Sequence, residues 1–210
     1  MVLHSPKPHA SYCVAISPDG RFVVTSFYVF DVETGAVVMT PSTNWHGVYS
    51  AVFSHNGTLL IGASDTGDIS VIDVATWHLV EKQRWADTPL VALSISPDGN
   101  HIVTGEDGKA VRLGTIKPLR QLAVIGQHKA RIKAVAFAPD GEYVVSAGDD
   151  KMVALWDVSR RKLLTTIGTH TSPIYGLAFS SDGKRLFTGE HDRSVRQYTR
   201  HRTLWGFSLN

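Results

Sequence analysis

The sequence is short of several things, and each shortage excludes something. Cys13 is the single cysteine among 210 residues, so the chain can form no internal disulfide and no cysteine-built zinc site. A reducing compartment fits this usage best. No apolar run approaches the ~18 residues that a membrane helix needs. The opening "MVLHSPKPHA" has no apolar stretch behind a basic start, as a secretory signal would. These absences predict no membrane association and an intracellular place, cytoplasmic or nuclear. A phosphate-cradling P-loop and a dinucleotide-binding glycine pattern are both missing, so no cofactor is expected. Charge is sparse too, at 19% of residues against 43% apolar, which suits a folded chain with a sizeable core. The net charge of +2 hides an asymmetry: residues 1–105 hold 4 Lys+Arg against 9 Asp+Glu (net −5), and residues 106–210 hold 17 against 10 (net +7).

What is present is a repeat. A turn tetrapeptide returns as "SPDG" at 17–20, "SHNG" at 54–57, "SPDG" at 96–99, "APDG" at 138–141 and "SSDG" at 180–183, with its glycines 37, 42, 42 and 42 residues apart. Each turn is preceded by an apolar run ("YCVAIS", "YSAVFS", "VALSIS", "KAVAFA", "YGLAFS") and followed by another ("FVVTS", "LLIGAS", "HIVTG", "YVVSA", "RLFTG"). These read as strands a and b of a recurring sheet. A third run follows, as in Met152 to Asp157, and then a more polar fourth, as in Lys162 to Ile167 and Thr203 to Leu209. Four antiparallel strands per unit, the last most exposed, make the blade of a β-propeller. The expected layout is one domain over 1–210, with blades at 1–40, 41–83, 84–125, 126–167 and 168–210. Seven and five residues before the turn glycine the side chains are small, which places strand a where blades converge. Four residues before it stand Ile16, Phe53, Ile95, Phe137 and Phe179, suited to the interface between neighbouring blades.

In the fourth unit His128, the "APDG" turn, Ser146, Asp150 and the pair Trp156-Asp157 follow in an order that resembles the WD-repeat (Trp-Asp repeat) β-propeller family. The fifth unit is similar, with His170, Thr188, Asp192 and Tyr198. The resemblance implies that these residues form buried hydrogen-bond sets tying the loop before strand a to the b–c turn and strand c. Units two and three place Ile72 and Gly114 at the tryptophan position, so apolar packing is expected to hold those blades. Most members of the family resemble seven-bladed rings, so five blades suggest a ring incomplete in this chain. Val2-Leu3 offers only a weak extra strand, and a closed five-bladed ring is the alternative. The first unit is five residues short between Ser26 and Phe27, at the b–c turn. Either its strands stop short or residues are absent.

His128, Ser146 and Asp150 are also the residue types of a hydrolytic triad. The same types recur in the fifth unit, whereas a catalyst needs one site. A structural role therefore outweighs a catalytic one. "EHD" at 190–192 lacks the second cluster that a metal site requires, and no metal is expected. At the start of strand a stand Tyr12, Tyr49, Lys133 and Tyr175, with Arg131 two residues before Lys133 and with Asp149 and His191 in the b–c turns. The resemblance places this set on the rim of the upper face, where partner segments are received. Tyr and Arg supply large contact area and directional bonds. The expected function is a non-enzymatic scaffold for a protein or peptide partner within a multiprotein complex. The alternatives are a propeller-type hydrolase with a channel active site and a nucleic-acid-associated propeller using the basic half, where "RRK" at 160–162 and "RQYTRHR" at 196–202 could meet phosphates.

Overall fold

The computed structural model describes residues 11–39, 47–200 and 207–209. Val2-Leu3 and residues 203–206 of the expected last strand lie outside the described residues. Within them every element is a strand. Blade 1 comprises β1 (Val14–Ile16), β2 (Phe22–Thr25), β3 (Val29–Asp31) and β4 (Val37–Met39). Blade 2 comprises β5 (Val48–Phe53), β6 (Leu59–Ser64), β7 (Asp68–Asp73) and β8 (Leu79–Arg84). Blade 3 follows with β9 (Leu90–Ile95), β10 (His101–Glu106), β11 (Ala110–Ile116) and β12 (Leu119–Gln127). Blade 4 has β13 (Ile132–Phe137), β14 (Tyr143–Gly148), β15 (Val153–Asp157) and β16 (Lys162–Thr166). Blade 5 has β17 (Ile174–Phe179), β18 (Arg185–Glu190), β19 (Val195–Arg200) and β20 (Phe207–Leu209). Each sheet is antiparallel, its strands lying side by side in chain order. The chain divides into two compact units, 1–90 and 91–210.

The repeated tetrapeptide builds the a–b turn of every blade. The glycine N–H closes onto the carbonyl three residues earlier, as in Gly20 to Ser17 (2.8 Å) and Gly141 to Ala138 (2.9 Å). Gly141 sits at φ 73, a left-handed conformation that glycine adopts without steric cost. In four blades the serine hydroxyl accepts the first N–H of strand b, at Phe22, Leu59, His101 and Arg185.

Inside 1–90, β1 lies against β5; inside 91–210, β13 lies against β17. Strand a is thus where neighbouring sheets approach, consistent with its small side chains. Phe53 packs with Phe22, Val24 and Val29 of the preceding sheet, and Phe137 with Ala92, Val103 and Val111. Ile16 departs from the expected interface role, being 62% exposed. The fourth strands carry the exposed side chains, as in β8 and β16.

Blade 1 shows what the five-residue shortening does. A two-residue loop, Ser26-Phe27, joins β2 to β3, with Thr25 N–H donating to Tyr28 O at 2.8 Å. The strands stop short, at four and three residues against six in β6 and β7.

The c–d turns repeat as well. Asp31, Asp73 and Asp157 each accept a backbone N–H three residues on, from Thr34, Thr76 and Arg160. The next residue is left-handed: Gly35 (φ 70), Trp77 (φ 58) and Arg161 (φ 55). Trp77 has a counterpart interaction, its ring lying edge-on to Phe22 at 4.9 Å. Arg161→Gly is therefore expected to stabilise the chain by about 0.5–1 kcal/mol, by removing left-handed strain from an exposed residue. Trp77→Gly relieves the same strain but forfeits the Phe22 contact, and its urea midpoint should fall.

Candidate functional site

Blade 4 carries the fuller hydrogen-bond set. His128 opens the loop between β12 and β13, and its Nδ1–H donates to Asp150, 2.9 Å from Oδ2. Its Nε2 accepts from Ser146 Oγ at 2.7 Å. Trp156 Nε1–H donates to the same Oγ at 2.7 Å. Asp150 also receives the N–H groups of Lys129 (2.9 Å) and Met152 (3.1 Å), so one carboxylate ties the d–a loop to the b–c turn. Atom by atom this is the order of a Ser-His-Asp triad, but Ser146 is fully buried. Its oxygen is committed to two neighbours, leaving no approach for a substrate. Gly126 makes room for this set, because a Cβ there would collide with the Trp156 ring.

Blade 5 departs from the expected set. His170 Nδ1 lies 2.9 Å from Glu190 Oε1, and its Nε2 lies 3.2 Å from the Ile167 carbonyl and 3.1 Å from Tyr198 Oη. Thr188 Oγ1 donates to the same Glu190 oxygen at 3.3 Å. Arg196 Nε pairs with Glu190 Oε1 at 2.9 Å. Asp192 stands outside: it caps the exposed turn, accepting from the Ser194 hydroxyl (2.6 Å) and N–H (3.0 Å). Those two bonds hold its carboxyl below the usual range. The expected Asp192 role therefore belongs to Glu190, whose longer side chain reaches the imidazole from inside the blade. Burial pushes the Tyr198 phenol up.

The expectation that apolar packing alone holds blade 3 is also corrected. Arg112 donates to Glu106 Oε2 through Nε (3.1 Å) and Nη2 (3.0 Å). Glu106 and Arg112 occupy the positions of Glu190 and Arg196. Two signals in the sequence carried this: "TGE" followed six residues after the glutamate by arginine, at 104–112 and 188–196, and "IGxH" at 125–128 and 167–170.

The partner-binding candidates fall into two groups. In 1–90, Tyr12 meets Tyr49 edge-on at 5.0 Å, and Tyr12 remains 63% exposed. In 91–210, the rest form a run across three blades. Arg131 pairs with Asp107, Nη2 lying 2.9 Å from Oδ2. Lys133 lies 3.6 Å from Asp149 Oδ2 and 5.7 Å from the centre of the Tyr175 ring. Tyr175 meets His191 edge-on at 5.7 Å. Arg131 and Lys133 are thus neutralised by neighbouring carboxylates.

A second row of cations on the same turns and loops was not singled out by sequence. Lys109 (φ 81), Lys151 (φ 64) and Arg193 (φ 72) hold the left-handed position of the b–c turn that Gly67 (φ 82) holds in blade 2. With Lys129 they are exposed. Their spacing of 42 residues was the available signal.

A groove of about 620 Å³ lies between blades 3 and 4, floored by Leu113, Leu122 and Tyr143 and rimmed by Glu142, Arg160 and Arg161. Burial, then the Glu142 charge, pushes the Tyr143 phenol up to about 12.

The family profile described as "WD domain, G-beta repeat" matches residues 83–113, 119–157 and 161–199, together just over half of the chain. The chain belongs to the WD-repeat family. Each of the last two matched segments starts on or just before the fourth strand of one blade and runs to the third strand of the next. The chain is also similar to "WD repeat-containing protein SL1-17" of Schistosoma mansoni, 25% identical over 115 residues. That match covers 52% of this chain and 38% of the relative. WD-repeat proteins generally serve as protein-interaction scaffolds and are typically non-enzymatic.

Proposed function

We propose that this chain is a non-enzymatic platform that captures a protein or peptide segment on the face bearing the b–c turns and d–a loops of blades 3–5. The observation that carries this is the run Asp149–Lys133–Tyr175–His191, an aromatic ring flanked by a cation and an imidazole, with 51% of Tyr175 open to solvent. Such a ring offers contact area at small entropic cost. The cations outside the run, Lys109, Lys129, Lys151 and Arg193, favour an acidic segment. Interleaved carboxylates at Asp107 and Asp149 disfavour a continuous polyanion such as nucleic acid.

The test is affinity capture from nuclease-treated lysate, comparing the wild-type chain with Lys133→Glu/Tyr175→Ala. Co-purifying proteins should fall by about tenfold in the double variant, with circular dichroism unchanged. Their retention on the wild type should weaken with added salt. An identical protein set on both baits would move the site elsewhere. Enrichment of nucleic acid or small metabolites alone would overturn the platform reading.

A further inference from the structure

The groove between blades 3 and 4 lies at the end of the sheets that bears the a–b and c–d turns, opposite the b–c turns of the partner-binding run. Its volume of about 620 Å³ falls within the ~300–1,000 Å³ of ligand sites. Leu113 and Leu122 of blade 3 and Val158 of blade 4 line it with apolar side chains. Every lining residue falls within 101–161, inside one compact unit.

The two arginines on its rim are not equivalent. Arg160 is engaged by its own blade: Nη1 lies 2.9 Å from Asp157 Oδ2. The Asp157 side chain, 5% exposed, also accepts from the Ser159 hydroxyl and the Arg160 N–H. Arg161 is exposed, and among the described residues no carboxylate pairs with it. It nevertheless holds the left-handed position of the c–d turn, at φ 55. Gly35 takes that position in blade 1 without strain, and Trp77 in blade 2 gains its edge-on contact with Phe22. Arg161 has neither excuse, and backbone strain with no compensation inside the fold points to function. Arg120 adds a second exposed cation. His101, Thr115 and Arg120 are cross-strand partners, so Arg120 stands on the face of its sheet from which His101 lines the groove.

We propose that this groove binds an extended peptide segment in which a large apolar side chain stands beside an aspartate or glutamate. The apolar side chain seats on Leu113, Leu122 and Val158, and the carboxylate meets the Arg161 guanidinium, whose fork matches it with two parallel bonds. Glu142 on the rim separates a peptide from a plain anionic amphiphile. A peptide backbone offers Glu142 an N–H donor, whereas a fatty-acid chain offers none and brings a like charge. The site shares no residue with the run Asp149–Lys133–Tyr175–His191, so either can stand without the other.

An array of glycine-flanked peptides, whose two central residues run through all amino-acid pairs, tests it with purified chain. Wild type should be retained by pairs that join a large apolar residue to Asp or Glu, and retention should weaken with added salt. Arg161→Gly should lower it about tenfold while the urea midpoint holds or rises, so the loss cannot come from unfolding. Arg161→Lys, which keeps the charge but not the fork, should lose less. A wild type retained by no such pair overturns the inference. Retention unchanged in Arg161→Gly would place these peptides away from the groove and overturn it equally. A preference for apolar residues beside Lys or Arg would give the recognition to Glu142 and overturn the acidic ligand.

Discussion

Asp150→Ala is expected to lower the unfolding free energy by about 3 kcal/mol. One carboxylate, 5% exposed, accepts from His128 Nδ1 and from the Lys129 and Met152 N–H groups. Alanine removes the acceptor of all three donors, and the His128 Nδ1–H, on a side chain 0% exposed, is left unsatisfied at the full desolvation cost. His128 also loses the bond that fixes its ring, which frees Ser146 and then Trp156. The urea midpoint followed by tryptophan fluorescence reads the effect directly. Asp150→Asn keeps one acceptor oxygen and should lose less. A hydrolytic activity that vanished in Asp150→Ala while the midpoint stayed put would overturn the structural role.

Glu190→Ala should cost a similar amount, about 3–5 kcal/mol, because His170, Thr188 and Arg196 lose their shared acceptor at once. His170 and Glu190 side chains are both 0% exposed, and Arg196 is only 23% exposed. Asp192→Ala is the matched control. Its carboxylate serves only the exposed turn through Ser194, so the midpoint should stay at the wild-type value. Equal losses in both variants would return Asp192 to the buried set.

The blade pattern was legible because a turn glycine and alternating apolar runs are local features, repeated five times. The blade 4 set was legible for a similar reason: His128, Ser146, Asp150 and Trp156 are the residue types the bonds require. Blade 5 was misread because register says which residue occupies a position, not which side chain reaches. Asp192 stands in register with Asp150, yet Glu190 starts two residues nearer the interior and its extra methylene spans the gap to His170. The cations were harder still. In sequence Arg131 and Lys133 look like Lys109 and Lys151, but Asp107 and Asp149 neutralise the first two, and those pairings depend on how the b–c turns of blades 3 and 4 come to lie beside the start of β13.

The offset between matched segments and sheets has a practical outcome for anyone dividing this chain. A cut at 158–160, where two matched segments meet, falls inside the β15–β16 hairpin. The upstream piece would keep β13–β15 and present Val153–Asp157 as a bare edge. The downstream piece would begin with β16, whose hydrogen-bonding partner stayed behind. Both edges are templates for aggregation. Boundaries within 168–173, between β16 and β17, leave every sheet with its own four strands.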